Sequence, residues 1–67
     1  MMEIVVNGER RPVNERMTLA ALLETLGLPR DQVAVERNRE IVRRENWDAV
    51  ELRPDDRLEI VQFVGGG

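Results

Sequence analysis

The side chains able to do chemistry in this chain are almost all carboxylates and guanidinium groups. Its 67 residues include no Cys, His, Ser, Lys or Tyr, and the only side-chain hydroxyls are Thr18 and Thr25. Nucleophilic catalysis needs a hydroxyl, thiol or amine beside a base, and acid–base work near neutral pH draws on His or on a tuned Lys or carboxylate. What is left is thirteen acids mixed with ten arginines along the chain. The one adjacent acid pair, Asp55-Asp56, follows Pro54. Neighbouring side chains in a turn point apart, so the pair reads as turn chemistry and not as a metal or acid–base dyad. No metal site is expected, since only an all-carboxylate one could form. The chain is expected not to be an enzyme; if it takes part in a reaction, it does so as a substrate or a carrier.

One further group stands apart. The sequence closes on Gly65-Gly66-Gly67, a run with no side chains and no means of joining a core. It sets the Gly67 carboxylate on a thin tether beyond an apolar stretch, dividing the chain into a domain at 1–64 and a tail at 65–67. Two readings are open at this point: an inert frayed end, or a carboxylate that is itself the working group.

Size and charge limit the alternatives. A chain of this length holds one domain. With 42% apolar and 34% charged residues it has the composition of a folded protein. No apolar run approaches the ~20 residues of a membrane helix and no signal-peptide pattern opens the chain, so a cytoplasmic location is the default and no membrane partner is expected. The pairs Arg10-Arg11 and Arg43-Arg44 are each flanked by glutamate within a net charge of −3, and Trp47 and Phe63 are the only aromatics. Nucleic-acid binding is therefore rejected, and the arginines are read as a solvated, ion-paired surface.

The elements that would carry the tail follow from local pattern. Met2 to Val6 and Glu9 to Val13 flank Asn7-Gly8, the signature of a two-residue hairpin turn. That turn sets Val6 opposite Glu9, Ile4 opposite Arg11 and Met2 opposite Val13, with Met2, Ile4, Val6 and Val13 facing inward. Pro12 has no N–H, which assigns the second strand to a sheet edge. Thr18 is an N-cap for a helix whose Leu19, Leu22, Leu23 and Leu26 share one face. Gly27 and Leu28 form its C-terminal cap, and Pro29 prevents continuation. Val33 to Arg37, about Glu40 to Val42, and Leu58 to Val64 read as further strands. Between them, Arg43 to Asp48 is an irregular or single-turn stretch with Trp47 half-buried, and Pro54 sits in a β-turn. The last strand is apolar on both faces, Leu58 and Ile60 on one and Val61 and Phe63 on the other, which marks it as central. Its second face is either covered by the Trp47 loop or exposed for docking. The order implies an α+β fold, the β-grasp: a mixed sheet of four to five strands crossed on one face by one helix.

On these residues the chain resembles the ThiS family of ubiquitin-like sulfur carriers of thiamine biosynthesis. The resemblance rests on Val33-Ala34-Val35-Glu36-Arg37-Asn38 through Ile41-Val42 to Trp47, and on the strand Leu58 to Val64 running into the terminal glycines. Asp55 departs from the family, which commonly has glycine there. The resemblance implies that an E1-like adenylating enzyme, using ATP and magnesium, activates the Gly67 carboxylate. A sulfur-donating system then converts it to a thiocarboxylate, and the sulfur passes to thiazole synthase. Gly65 and Gly66 would thread the tail into partner active sites, and the carrier itself would hold no cofactor. Val61, Phe63 and Val64 are the expected partner-binding surface. The alternatives are a carrier for molybdopterin synthase or tRNA thiolation and, in another class, a non-covalent β-grasp interaction module.

Overall fold

In a computed structural model, residues 1–63 are described; Val64, Gly65, Gly66 and Gly67 lie outside the described residues. Strand β1 (Met2–Val6) turns at Asn7-Gly8 into β2 (Glu9–Val13) in the expected register, Met2 with Val13, Ile4 with Arg11 and Val6 with Glu9. Asn7 and Gly8 both take positive φ, +49° and +84°, as a type I′ turn requires. Helix α1 (Leu19–Thr25) follows, then a 3₁₀ turn at Arg30–Gln32 that local pattern did not reveal. Strand β3 (Val33–Arg37) turns through Asn38-Arg39, again both at positive φ, into β4 (Glu40–Ile41), slightly shorter than expected. A second 3₁₀ turn, Arg44–Asn46, precedes the last strand, β5 (Arg57–Gln62).

The five strands lie in the order β2-β1-β5-β3-β4, with β5 parallel to β1 and antiparallel to β3. This is the β-grasp sheet, and β5 is its centre, as its two apolar faces require. Pro12 does what an edge proline should. Residues 3, 5 and 7 of the first hairpin bond toward β5, so 2, 4 and 6 bond toward β2 and its partners 9, 11 and 13 bond back. Pro12 is thus at an outward position, where a missing N–H costs no ladder bond and offers none to another strand.

The helix is fastened at both ends as its sequence predicts. The Thr18 hydroxyl accepts from the Ala21 amide at 3.1 Å. At the other end the Leu28 amide donates to Leu23 and the Gly27 amide to Glu24, both at 3.0 Å, with Gly27 at φ +72°. These are the two bonds of a Schellman cap. Leu19, Leu22 and Leu23 are buried against Ile4, Val35, Leu58 and Trp47, while Leu26 and Leu28 are partly buried at the margin.

Trp47 departs from expectation: it is fully buried, not half-buried, at 1% exposure. The reason is that its polar handle is satisfied inside the fold. Its indole N–H donates to the Val42 carbonyl at 2.9 Å, and its own carbonyl accepts from Ala20 at 3.1 Å. The ring therefore joins the helix side of the core, and the opposite face of β5 is left uncovered.

Candidate functional site

Strand β5 carries the chain toward its glycines, and three sets of bonds hold it. On one side Val5 and Asn7 donate backbone N–H groups to Asp56 and Leu58 at 2.8 and 2.9 Å. There β1 ends, and the Asn7 side chain takes over. Its Oδ1 accepts from the Ile60 amide at 2.8 Å and its Nδ2 donates to the Ile60 carbonyl at 3.1 Å. A side-chain amide thus substitutes for one more strand residue and extends the ladder toward the tail. On the other side β3 pairs along the strand from Arg37 to Val33, and the Phe63 amide donates to Gln32 at 2.7 Å. The backbone is anchored as far as Phe63.

The root of β5 is fixed by a carboxylate. Asp56 is buried at 5% exposure. Its oxygens accept from the Arg53 amide at 2.8 Å, the Arg37 guanidinium at 2.9 Å and the Asn38 side-chain amide at 3.1 Å. Burial pushes the carboxyl up, but these donors, with the positive charge of Arg37, outweigh it and hold Asp56 below the usual carboxylate value. Asp55 sits at φ +67°, the turn position that favours glycine, and faces Arg10 at 3.5 Å. The two aspartates serve separate structural tasks. Among the described residues no cluster of metal-ligating side chains is present.

The outer face of β5 is apolar and open. Val61 and Phe63, two of the expected docking residues, are 57% and 50% exposed; the third, Val64, and the tail residues Gly65, Gly66 and Gly67 lie outside the described residues. Ala34 lies directly opposite Val61 on β3, and Ile41 on β4 is 77% exposed on the same face. Sequence reasoning missed Ile41 and Ala34. The signal was the Asn38-Arg39 turn: it pairs Ile41 with Glu36, and Glu36 shares its face with Ala34.

Beside this patch a groove of about 580 Å³ runs along β3 from Ile41 and Val42 to Phe63, rimmed by Arg30, Arg43 and Arg44. Arg30 lies 5.4 Å from the centre of the Trp47 ring and pairs with Asp48 at 3.0 Å. The hydrogen bond to Asp48 raises the Arg30 pKa and lowers that of Asp48. No helix is long and apolar enough to cross a membrane among the described residues.

An exposed apolar face of this kind suits the docking of a partner. It offers an apolar patch and a rim of cations beside the last strand. The comparisons with known proteins agree with that layout. The model of the ThiS family matches residues 4–67. The chain is 48% identical over 50 residues to the sulfur carrier protein ThiS of Bacillus subtilis, covering 75% of this chain and 76% of that one. It is 48% identical over 66 residues to a thiazole synthase of Paramagnetospirillum magneticum, covering 98% of this chain but only 20% of that protein. The chain thus spans about one fifth of the length of that thiazole synthase. The crystal structure of the thiamine biosynthesis protein ThiS from Geobacter metallireducens superposes with a TM-score of 0.83 at 35% identity, covering 98% of this chain and 100% of that one. By sequence and by fold, the chain belongs to the ThiS family.

Proposed function

We propose that this chain is a sulfur carrier for the thiazole moiety of thiamine, working through the Gly67 carboxylate. The observation that carries the reading is the family match, which extends through the glycines to residue 67. The anchoring of β5 up to Phe63 supports it, because a fixed root and a side-chain-free tail are what a partner's narrow active site could accept.

The chemistry is as follows. A carboxylate is a poor electrophile. Attack of a Gly67 carboxylate oxygen on the α-phosphorus of ATP forms an acyl adenylate and releases pyrophosphate, with magnesium and ATP held by the E1-like partner. A hydrosulfide-level nucleophile from the sulfur-donating system then forms the C–S bond as AMP leaves, giving the thiocarboxylate directly, and this group delivers its sulfur to thiazole synthase. This chain supplies the acyl group, the tether and the docking surface, and its partners supply the catalysis. Thiazole synthase is favoured as acceptor over molybdopterin synthase or a tRNA-thiolation enzyme. A relative of this chain forms one fifth of a thiazole synthase, and covalent joining of that kind raises the effective concentration of one unit at the other.

The experiment that tests the reading is removal of Gly66 and Gly67. A sulfur carrier loses support of thiazole formation while its thermal unfolding is unchanged. A non-covalent β-grasp module keeps its partner and its function after the same deletion, and that result would exclude the carrier.

A further inference from the structure

Asn7 follows the last residue of β1 and bonds to β5 three times. Its backbone N–H donates to the Leu58 carbonyl at 2.9 Å, its Oδ1 accepts from the Ile60 amide at 2.8 Å, and its Nδ2 donates to the Ile60 carbonyl at 3.1 Å. Among the described residues, Ile60 is the last position of β5 bonded from the β1 side. On that side, one side-chain amide holds the end of the strand.

The residue after Asn7 exposes that amide to a covalent reaction. Asn7 is the only asparagine in the chain followed by glycine; Asn14, Asn38 and Asn46 precede Glu15, Arg39 and Trp47. A backbone nitrogen can attack the side-chain carbonyl carbon of a preceding asparagine. Glycine hinders this least, because it has no Cβ and a freely turning backbone. Asn7 and Gly8 are both exposed, and beyond the chain neighbours nothing lies within 4 Å of where a Gly8 Cβ would stand. In the attack the Gly8 nitrogen bonds to the Asn7 Cγ, the Cγ–Nδ2 bond breaks, and ammonia leaves with the Gly8 amide proton. Water then opens the cyclic imide, giving aspartate when the bond to Cγ is cleaved and isoaspartate when the bond to the backbone carbonyl carbon is cleaved. The net change is amide plus water to carboxylate plus ammonium, with nothing oxidised or reduced. Attack needs Cγ turned back onto the Gly8 nitrogen and Nδ2 free to leave, whereas in the fold both amide atoms are bound to Ile60.

We propose that Asn7 is a site of spontaneous deamidation, gated by its clamp on Ile60, and that the modification releases the end of β5. In the folded chain the reaction proceeds through local openings that detach Asn7 from Ile60. Afterwards the clamp cannot re-form. Aspartate has no donor for the Ile60 carbonyl and sets a negative oxygen against it, and isoaspartate inserts an extra carbon into the backbone of the turn. Beyond Leu58 the strand is then held from β3 alone. The proposal does not depend on the chemistry at Gly67.

The test is incubation of the full chain at mildly alkaline pH, in native buffer and in concentrated urea, beside the peptide acetyl-Val-Val-Asn-Gly-Glu-Arg-amide as the ungated reference. Mass spectrometry reads the replacement of an amide NH₂ by OH, and fragmentation locates it. The change should be confined to Asn7, be absent in Asn7→Asp, and run about tenfold or more slower in the folded chain than in urea or in the peptide. The aged chain carries an added negative charge and separates on an anion exchanger. In that fraction hydrogen exchange at the Ile60 amide should be about fivefold faster than in fresh chain, with Val35 unchanged. Equal rates in native buffer and in urea overturn the gating. A change that appears first at Asn14, Asn38 or Asn46, or none in urea, overturns the site. Unchanged exchange at Ile60 in the aged fraction, or equal acceleration at Val35, overturns the release of the strand end.

Discussion

Asp56 and Asn7 are the residues whose roles go furthest beyond their types. Asp56 answers three donors from separate segments at the start of β5. Asp56→Ala leaves the Arg53 amide and the Arg37 and Asn38 side chains short of an acceptor, and is expected to cost about 2–3 kcal/mol. The same carboxylate sets an acid limit. Its folded value lies below its unfolded one, so its contribution is complete above the unfolded value of ~3.9 and is lost as pH falls through the folded value. Urea midpoints measured at decreasing pH should therefore fall below pH ~4 in the parent, and fall less steeply there in Asp56→Asn. Asn7→Ala removes both bonds to Ile60 and should cost about 1–3 kcal/mol. Hydrogen exchange at the Ile60 amide should accelerate more than at Val35. At this scale the sequence was legible only where a residue acts on its own backbone. Asn7 as a turn former and Thr18 as a cap follow from local rules, and Asp55 in place of a glycine from the family resemblance. The Asn7 clamp spans 53 positions and the Asp56–Arg37 pair spans 19, and no local pattern encodes such partners.

Strand β5 and the Trp47 segment carry the lesson at the level of elements. The hairpin register, the helix with both caps and the central place of β5 were legible, because period, turn residues and cap residues each fix one geometry. The depth of Trp47 was not, because burial of an indole depends on whether its N–H finds a partner, here the Val42 carbonyl five residues earlier. The openness of the outer face followed from the same fact, since a ring inside the core cannot cover Val61 and Phe63. Two substitutions separate these roles. Trp47→Ala should destabilise the fold by about 3–5 kcal/mol in denaturant titrations. Phe63→Ala, at a half-exposed position, should change stability by less than about 1 kcal/mol while weakening binding to the adenylating partner. If Phe63→Ala unfolds the chain instead, Phe63 belongs to the core and the docking face lies elsewhere.

At the scale of the whole molecule, the architecture works as a mount. Among the described residues one helix and four strands hold the central strand, which runs parallel to the first and is anchored to Phe63, with an apolar patch and an arginine-rimmed groove beside Phe63. The fold was legible in the sequence because its elements are short and strongly punctuated. The proposal for Gly67 rests on the glycines and the family resemblance alone, since a carboxylate at the end of a chain carries no pattern of its own. Intact-mass spectrometry tests this account most directly, after incubation of the chain with its adenylating partner, ATP and a sulfur donor. The account predicts a mass gain equal to one oxygen replaced by sulfur, located at Gly67 by fragmentation. An unchanged mass, with the partner shown to be active on another carrier, would contradict it.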